Sequence, residues 1–115
     1  MIGIDTVKVQ RIADSIKNER FLTRVFTVGE RDYYRQKGEE PETLAGIFAA
    51  KEAIAKAFGT GIRGFEFADI EISHSENGAP KVILYNGAKD LAAGKTVSVS
   101  ISHDGDYAVA AAILL

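Results

Sequence analysis

Three charged side chains, Lys51, Glu52 and Lys56, interrupt an otherwise apolar and small-residue stretch between Leu44 and Gly59. At about 100° per residue, this stretch predicts one helix with an apolar stripe on one side and a face of small residues on the other. A helix of that kind is buried on both sides, and a buried charge costs several kcal/mol unless it is paired or binds something. Lys51 falls near the middle of the apolar stripe, so it needs a negatively charged partner.

Two kinds of partner would satisfy these charges. Glu52 and Lys56 have the i, i+4 spacing and the favoured orientation of an ion pair on one helix, but this pair leaves Lys51 unexplained. An anionic ligand is the alternative, because the turn Gly59-Thr60-Gly61 offers backbone N–H groups beside Lys56 for a phosphate. A glycine in this place is also a common helix C-cap.

A further carboxylate, Asp5, ends the short strand that Ile2 to Asp5 predicts. An aspartate between a strand and a helix most often caps the helix by accepting backbone N–H hydrogen bonds, and the residues alone favour that role. The same position is also common for a metal ligand.

Basic residues are concentrated on one side of the region Lys8 to Phe26, which is predicted to be helical with a break near Lys17-Asn18. Lys17, Arg20 and Arg24 follow one another at i, i+3 and i+7. Such a strip is either a solvated helix face or a docking surface for an acidic partner. A solvated face is the usual meaning of such charges, but docking gains weight because the net charge of the chain is −2 and these positive charges are concentrated.

The composition indicates one cytoplasmic domain over residues 1–115. The 46% hydrophobic and 26% charged residues are typical of a soluble protein, and the net charge argues against nucleic-acid binding. Without cysteine there is no disulfide, no thiolate metal site and no thiol nucleophile. The N-terminus lacks a signal-peptide pattern, and the apolar run Tyr107 to Leu115 is too short to span a membrane.

The remaining elements alternate between helices and strands. Thr27 to Glu30 has the spacing of a capping box and opens a helix that ends near Gly38. Further predicted elements are a hairpin of strands Asp69 to Ser73 and Lys81 to Tyr85 around the turn Asn77-Gly78-Ala79-Pro80, a short helix Asn86 to Ala93, and strands Thr96 to Ser102 and Tyr107 to Leu115 joined by the loop His103 to Asp106. The first of the last two strands has a polar serine face, and the second is predicted to be buried on both faces. No Ser-His-Asp order stands out around His103.

Three blocks of the sequence occur in a specific order: GIDTVKVQRI at Gly3 to Ile12, FAAKEAIAKAFGTGI at Phe48 to Ile62 and VSISHDGDYAVA at Val97 to Ala110. Together they resemble the holo-acyl-carrier-protein synthases, the small type of 4′-phosphopantetheinyl transferase, nearly from end to end. The resemblance implies an α/β fold of the α+β type, with helices packed on a curved, mainly antiparallel sheet. It also implies a homotrimer whose active sites lie between neighbouring subunits.

The activity that the resemblance implies is a step of fatty acid biosynthesis. The phosphopantetheine arm of coenzyme A is transferred to a serine of apo acyl carrier protein, adenosine 3′,5′-bisphosphate is released, and Mg²⁺ is required. Asp5 and Glu52 resemble the two carboxylate ligands of the metal, a donor set that suits Mg²⁺. Lys56 and Gly59-Thr60-Gly61 would bind phosphates, and Lys51 would find its anion there. The general base is either Glu52 or a metal-bound water.

The resemblance extends to the binding surfaces for both substrates. Ser102 and His103 resemble residues of the coenzyme A pocket, with His103 near the nucleotide end. Arg20 and Arg24 match basic positions that dock on the acidic helix of the carrier protein, and Arg11 joins them through the resemblance only. Ile47 occupies a position where many relatives carry arginine, so a contact to a coenzyme A phosphate is absent or supplied elsewhere.

Two other functions fit parts of the pattern. A metal-dependent phosphohydrolase would use Asp5, Glu52 and His103 to hydrolyse a phosphoanhydride with water, and it would not need the basic strip. A non-catalytic module would keep the strip and the anion-binding helix, and it would bind nucleotides or acidic proteins without transfer.

Overall fold

The long helix that carries Lys51 is the centre of the fold. The computed structural model describes residues 1–115. Its elements, in chain order, are β1 (Ile2–Lys8), α1 (Val9–Ser15), α2 (Glu19–Val25), α3 (Val28–Gln36), α4 (Pro41–Phe58), β2 (Ile70–His74), β3 (Pro80–Leu84), α5 (Asn86–Ala92), β4 (Val97–Asp104) and β5 (Tyr107–Leu114). The helix predicted from Leu44 is α4, which begins at Pro41, a residue suited to the first helical position.

All strand pairs are antiparallel, which confirms the predicted fold class. A three-stranded sheet has the order β1-β5-β4, and β2 and β3 form a separate two-stranded hairpin. Helix α4 packs across β1, β5 and β4, and nearly all of its residues from Leu44 onward are buried. None of the helices combines the length and the hydropathy that a membrane span requires.

The local signals placed most element boundaries correctly. The predicted helical break falls between α1 and α2, where the Asn18 side chain accepts hydrogen bonds from the backbone N–H groups of Arg20 and Phe21. The capping box at the start of α3 is also confirmed, because Thr27 and Glu30 cap each other's backbone. Strand β4 is longer than predicted and runs to Asp104, so only a two-residue turn remains before β5.

The prediction that the last strand is buried on both faces is wrong for the single chain. Along β5, Ala108, Ala110 and Ala112 are buried, whereas Tyr107 and Ile113 are exposed. The buried residues share the face that α4 covers, because side chains alternate along a strand. No element of the same chain covers the opposite face at these two exposed positions.

Candidate active site

Two carboxylates that are far apart in the sequence lie close together between β1 and α4. Asp5 is in the middle of β1, opposite Ala110 of β5, and its side chain is 18% exposed. Glu52 is half-buried on α4. Burial raises the pKa of Glu52, and the negative charge of Asp5 raises it further, against the opposing charges of Lys56 and Arg11.

The position of Asp5 corrects its predicted role as a helix cap. The next helix begins at Val9, its N-cap residue is Lys8, and no side chain caps it. Strand β1 continues for three residues beyond Asp5, so this carboxylate cannot reach the N-terminus of α1 as a cap. Its alternative role as a metal ligand remains compatible with the structure.

Gly3 explains why β1 and α4 approach each other so closely. A Cβ atom at this position would lie 1.9 Å from the carbonyl oxygen of Ala53 and 2.8 Å from the backbone nitrogen of Ala57. Only glycine permits this contact. Asp5 lies two residues along the same face of β1, and Glu52 precedes Ala53 on α4. In the Gly-x-Asp spacing, the glycine therefore lets β1 approach α4, and the aspartate then lies beside that helix. This role of Gly3 was not predicted from the sequence.

Lys56 completes this group, but with a different partner from the one expected on the helix. Its ammonium donates hydrogen bonds to Asp5 Oδ1 at 2.9 Å and to the carbonyl oxygen of Ile4 at 3.0 Å. It forms no ion pair with Glu52 within 4.0 Å. The side chain of Lys56 is 53% exposed, so its ammonium is accessible to an anion that approaches the carboxylates.

The carboxylate pair fits Mg²⁺ bound together with a phosphorylated substrate. The structure contains no group of three or more His, Cys, Asp or Glu side chains that would hold a metal by itself. Mg²⁺ usually takes one or two carboxylates and completes its octahedral shell with water and substrate phosphates. Asp5 and Glu52 supply such a donor set, whereas a metal that needs a full protein cage would not fit here.

Lys51 does not face this group, which corrects the prediction that it contacts coenzyme A. It is fully buried, and its ammonium donates to Glu30 Oε1 at 2.7 Å, to the carbonyl oxygen of Val25 at 2.7 Å and to that of Phe67 at 3.1 Å. These contacts use all three donors of the ammonium. The internal partner that the sequence analysis left open is therefore Glu30.

Glu30 was recognised in the sequence only as part of a capping box. Its carboxylate also accepts a hydrogen bond from the backbone N–H of Ile72 at 2.7 Å, so it joins α3, α4 and β2. Burial lowers the pKa of Lys51 and raises that of Glu30, and each charge opposes the shift of the other. The signal that could have identified the pair was the buried lysine itself, because a charge in that position requires a partner.

The glycine turn after α4 is exposed and lies beside Lys56. Gly59 and Gly61 have positive φ angles of 80° and 66°, which favour glycine at both positions. The hydroxyl of Thr60 donates to the carbonyl oxygen of Gly61 at 3.1 Å. The backbone N–H of Gly59 donates to the carbonyl oxygen of Lys56 at 3.0 Å, so Gly59 is the C-cap of α4, the alternative role that the sequence offered for it.

His103 lies in a separate pocket at the opposite edge of the sheet. Its Nε2 is 2.8 Å from the carbonyl oxygen of Glu42, and its ring is so close to Gly46 that a Cβ there would be 3.0 Å from Nε2. The pocket has a volume of about 220 Å³, and its lining also includes Ile47, Gly78, Pro80 and Ile101. It therefore joins the first turns of α4 to the turn of the β2–β3 hairpin.

The structure separates His103 from two residues with which the sequence analysis grouped it. Ser102 and His103 are neighbours on β4, so their side chains lie on opposite faces of the sheet and do not share a pocket within one chain. Strand β5 lies between β4 and β1, which places His103 and Asp5 two strand spacings, roughly 10 Å, apart. A phosphohydrolase site built from Asp5, Glu52 and His103 of one chain is therefore not formed.

Of the three residues predicted to form the basic strip, Arg20 and Arg24 lie together and Lys17 does not. Lys17 lies before α2 and contacts Asp14 at 3.5 Å, whereas Arg20 and Arg24 line a groove of about 460 Å³. Apolar side chains also line this groove, namely Phe21, Val25, Ile62 and Phe67. Glu66 lines the groove as well, so the lining combines two positive charges and one negative charge with an apolar surface.

Arg11 lies apart from that groove, on α1. The centre of its guanidinium is 5.6 Å from the centroid of the Phe48 ring, and its charge lowers the pKa of Glu52 against the effects of burial and Asp5. Arg11 is therefore close to the carboxylate pair as well as exposed.

Comparisons with known proteins cover nearly the whole chain. A sequence model of the 4′-phosphopantetheinyl transferase superfamily matches residues 1–112. The holo-[acyl-carrier-protein] synthase of Clostridium perfringens is 45% identical over 122 residues, covering 98% of this chain and 91% of that protein. The synthase of Caldicellulosiruptor bescii is 51% identical over 115 residues, covering 97% and 94%. The crystal structure of the Helicobacter pylori synthase in complex with coenzyme A superposes with a TM-score of 0.89 at 36% identity, covering all of both chains.

Proposed function

Because the chain belongs to the 4′-phosphopantetheinyl transferase superfamily, we propose that the group formed by Asp5, Glu52 and Lys56 is its catalytic centre. The chain transfers the 4′-phosphopantetheine group of coenzyme A to a serine of apo acyl carrier protein. One observation supports the location of the centre above all others. Gly3 lets β1 touch α4, and this contact brings two carboxylates and an accessible ammonium together.

Asp5 and Glu52 would bind Mg²⁺ together with the diphosphate of coenzyme A. When bound, the metal supplies positive charge that neutralises the diphosphate and stabilises its leaving phosphate. Asp5 on β1 and Glu52 on α4 would hold the metal, and through its charge they would orient the substrate. The repulsion between them, which raises the pKa of Glu52, would be relieved by a cation.

Lys56 and the glycine turn would bind the diphosphate at the C-terminal end of α4. In the free chain the ammonium of Lys56 is engaged by Asp5. A diphosphate at the carboxylates would offer this ammonium a second anion. In the adjoining turn the backbone N–H groups of Thr60 and Gly61 would bind its oxygens, whereas that of Gly59 donates to the carbonyl oxygen of Lys56. Lys56 would then bind and neutralise substrate oxygens.

The reaction breaks the phosphoanhydride bond in the diphosphate of coenzyme A and forms a phosphoester bond to serine. The hydroxyl oxygen of the carrier-protein serine forms a bond to the phosphorus that bears pantetheine, and the bond from that phosphorus to the bridging oxygen breaks. Adenosine 3′,5′-bisphosphate leaves with that oxygen. The serine proton goes to Glu52, either directly or through a water that Glu52 orients. Positioning and charge neutralisation supply most of the rate in such a transfer.

The nucleotide end of coenzyme A would lie in the pocket beside His103. At about 220 Å³ the pocket is smaller than the ~300–1,000 Å³ typical of sites that enclose a whole drug-sized ligand, so it suits one end of a long substrate. The pocket and the carboxylate pair are on opposite edges of the sheet within one chain. A complete site can therefore combine the carboxylates of one subunit with the pocket of another.

A homotrimer is supported by the uncovered face of the three-stranded sheet. Ile2 and Ile4 on β1 are 71% and 61% exposed, and Ile113, which pairs with Ile2, is 42% exposed. Exposed apolar side chains that are contiguous on one face mark an interaction surface. Light scattering should give the mass of three chains at micromolar concentration, and a monomeric mass would contradict this assembly.

The groove lined by Arg20 and Arg24 would dock the carrier protein. Its two arginines outnumber Glu66 and suit an acidic helix, and its apolar residues suit the apolar side of the same helix. Charge reversal at both arginines should cripple modification of the carrier protein. The competing phosphohydrolase function predicts instead that hydrolysis of a phosphoanhydride persists in this variant.

Mass spectrometry tests the proposed function directly. Apo acyl carrier protein incubated with the chain, coenzyme A and Mg²⁺ should gain one phosphopantetheine group, and a chelator should prevent this gain. Glu52→Gln should also prevent it, whereas Glu39→Gln, the same substitution in an exposed turn, should not. Binding of coenzyme A without any mass gain on several carrier proteins would favour the non-catalytic function.

A further inference from the structure

The buried ion pair of Lys51 and Glu30 takes no part in the proposed transfer chemistry, although Lys51 directly precedes Glu52 on α4. Replacement of a whole buried ion pair by apolar side chains is often neutral for stability or increases it, so stability alone does not explain a lysine here. The contacts of this lysine reach beyond its carboxylate partner. Its ammonium also donates to two backbone carbonyl oxygens, that of Val25 at 2.7 Å and that of Phe67 at 3.1 Å.

These two carbonyl oxygens belong to the two segments of the chain that form the groove with Arg20 and Arg24. The groove is lined by side chains from residues 18–25 and from residues 62–67. Val25 is the last residue of α2, and Phe67 begins a short 3₁₀-helix, Phe67–Asp69, that precedes β2. Both residues line the groove themselves. One ammonium group therefore joins the backbones of the two segments.

An aromatic ring of α4 contacts the same two segments. The ring of Phe48, one turn before Lys51, has its centroid 6.3 Å from that of Phe21 and 5.5 Å from that of Phe67. Phe21 and Phe67 line the groove, whereas Phe48 is buried beneath them and does not. Phe48 and Lys51 are at i and i+3, so they lie on the same face of the helix. This face of α4 supports the groove from the interior of the protein.

The two supporting side chains act in different ways. Apolar burial against Phe48 has no preferred direction, so this contact alone would let the segments slide over the ring. Hydrogen bonds weaken steeply outside a narrow range of distance and angle, so Lys51 fixes the position of both backbones. Its partner Glu30 is itself held, because its carboxylate accepts hydrogen bonds from the backbone N–H groups of Thr27 and Ile72.

The following inference rests on the proposed function, in which the carrier protein docks in this groove. We propose that Lys51 is a positioning residue for carrier-protein docking. It holds the two segments of the groove in place relative to each other and to Glu52, the next residue of the same helix. A carrier protein in the groove then presents its serine at a defined place relative to the carboxylate pair. Lys51 is fully buried and acts through the groove rather than on a substrate.

Steady-state kinetics in which each substrate is varied in turn test this role. Lys51→Met combined with Glu30→Gln removes the ammonium without leaving a buried carboxylate unpaired. The KM for apo acyl carrier protein should rise about tenfold, because groove contacts are displaced, whereas the KM for coenzyme A should stay within about twofold. A KM value does not depend on the concentration of active enzyme, so partial unfolding of the variant would not produce this difference.

Leu114→Ala is the matched control for lost stability. Leu114 is buried on β5 and does not line the groove, so its truncation leaves a cavity in the core and should change neither KM. Lys51→Arg is a second test variant that keeps a positive charge opposite Glu30 and does not depend on the double substitution being folded. Its planar guanidinium cannot place three donors where one ammonium does, so the KM for the carrier protein should rise about threefold.

The possible results separate this inference from the proposed function. An unchanged KM for the carrier protein in both Lys51 variants, or an equal rise of both KM values, would overturn the inference while transfer by the wild-type chain still supported the proposed function. The inference would also fail if charge reversal at Arg20 and Arg24 left the KM for the carrier protein unchanged, because the carrier protein would then dock elsewhere. A wild-type chain that modifies no carrier protein would refute the proposed function itself.

Discussion

Substitution of Gly3 by alanine tests whether the contact between β1 and α4 positions the catalytic group. The new methyl group would lie 1.9 Å from the carbonyl oxygen of Ala53, whereas Cβ contacts in proteins are essentially never shorter than 3.0 Å. The backbone fixes the positions of both atoms, so neither can rotate away, and the strand and the helix must move apart by roughly 1 Å. Asp5 moves with β1, and Glu52 moves with α4.

Two magnitudes follow for Gly3→Ala. Overpacking of this kind lowers the free energy of unfolding by about 1–3 kcal/mol. A misplacement of about 1 Å in a catalytic group lowers the rate by roughly 100-fold, because the reaction depends on positioning. We therefore expect kcat/KM for carrier-protein modification to fall about 100-fold in protein that remains folded.

Gly94→Ala is the matched control. Gly94 also requires its glycine, with a φ angle of 82°, but a Cβ there would meet nothing within 4 Å. The backbone strain costs about 1 kcal/mol, so stability falls while Asp5 and Glu52 stay in place. Urea unfolding and steady-state kinetics should be measured on both variants. If folded Gly3→Ala keeps kcat/KM within about threefold of the wild type, the contact does not position the site.

Three further predictions concern the charged residues. Lys56→Met removes the ion pair of Asp5, so Asp5 becomes free to bind a cation. Calorimetry should show that Mn²⁺ binds about two- to fivefold tighter to this variant, although its transfer activity falls. Weaker Mn²⁺ binding would contradict the idea that Lys56 competes with the cation for Asp5. Lys51→Met leaves Glu30 buried and unpaired, so the free energy of unfolding, measured in urea, should fall by about 3–5 kcal/mol. Adding Glu30→Gln should restore part of this loss. A loss below about 1 kcal/mol would show that the ion pair is not needed for stability. The pKa of Glu52 is raised on folding, so its contribution to stability is present below the unfolded pKa near 4.5 and is lost as the pH rises through the folded pKa. Glu52→Gln should therefore raise the melting temperature of the metal-free protein at neutral pH but not below pH 4.5, and an equal shift at both pH values would contradict this origin.

The local elements and the approximate location of the site could be predicted from the amino-acid sequence. The buried character of α4 follows from its apolar period, the start of α3 from a capping box, and the last hairpin from alternating residues around a short turn. The family resemblance carried by the Gly-x-Asp and Lys-Glu blocks also predicted that Asp5 and Glu52 act together, and the structure places Asp5 close enough for its negative charge to raise the pKa of Glu52. These signals are visible because each depends on residues a few positions apart, or on motifs that retain their order.

The pairing of the charged side chains could not be predicted from the sequence, because it depends on how the helices and strands pack. Lys51 pairs with Glu30 rather than with a phosphate, and Lys56 pairs with Asp5 rather than with Glu52 four residues away. Periodicity assigns a side chain to a face of its element, but the partner on that face comes from a distant part of the chain. The separation of Ser102 from His103 has a simpler cause, since alternation along β4 sends neighbouring side chains to opposite faces. The partner of a buried charge depends on how the elements pack, and here a glycine on β1 and a glutamate on α3 fix that packing around α4.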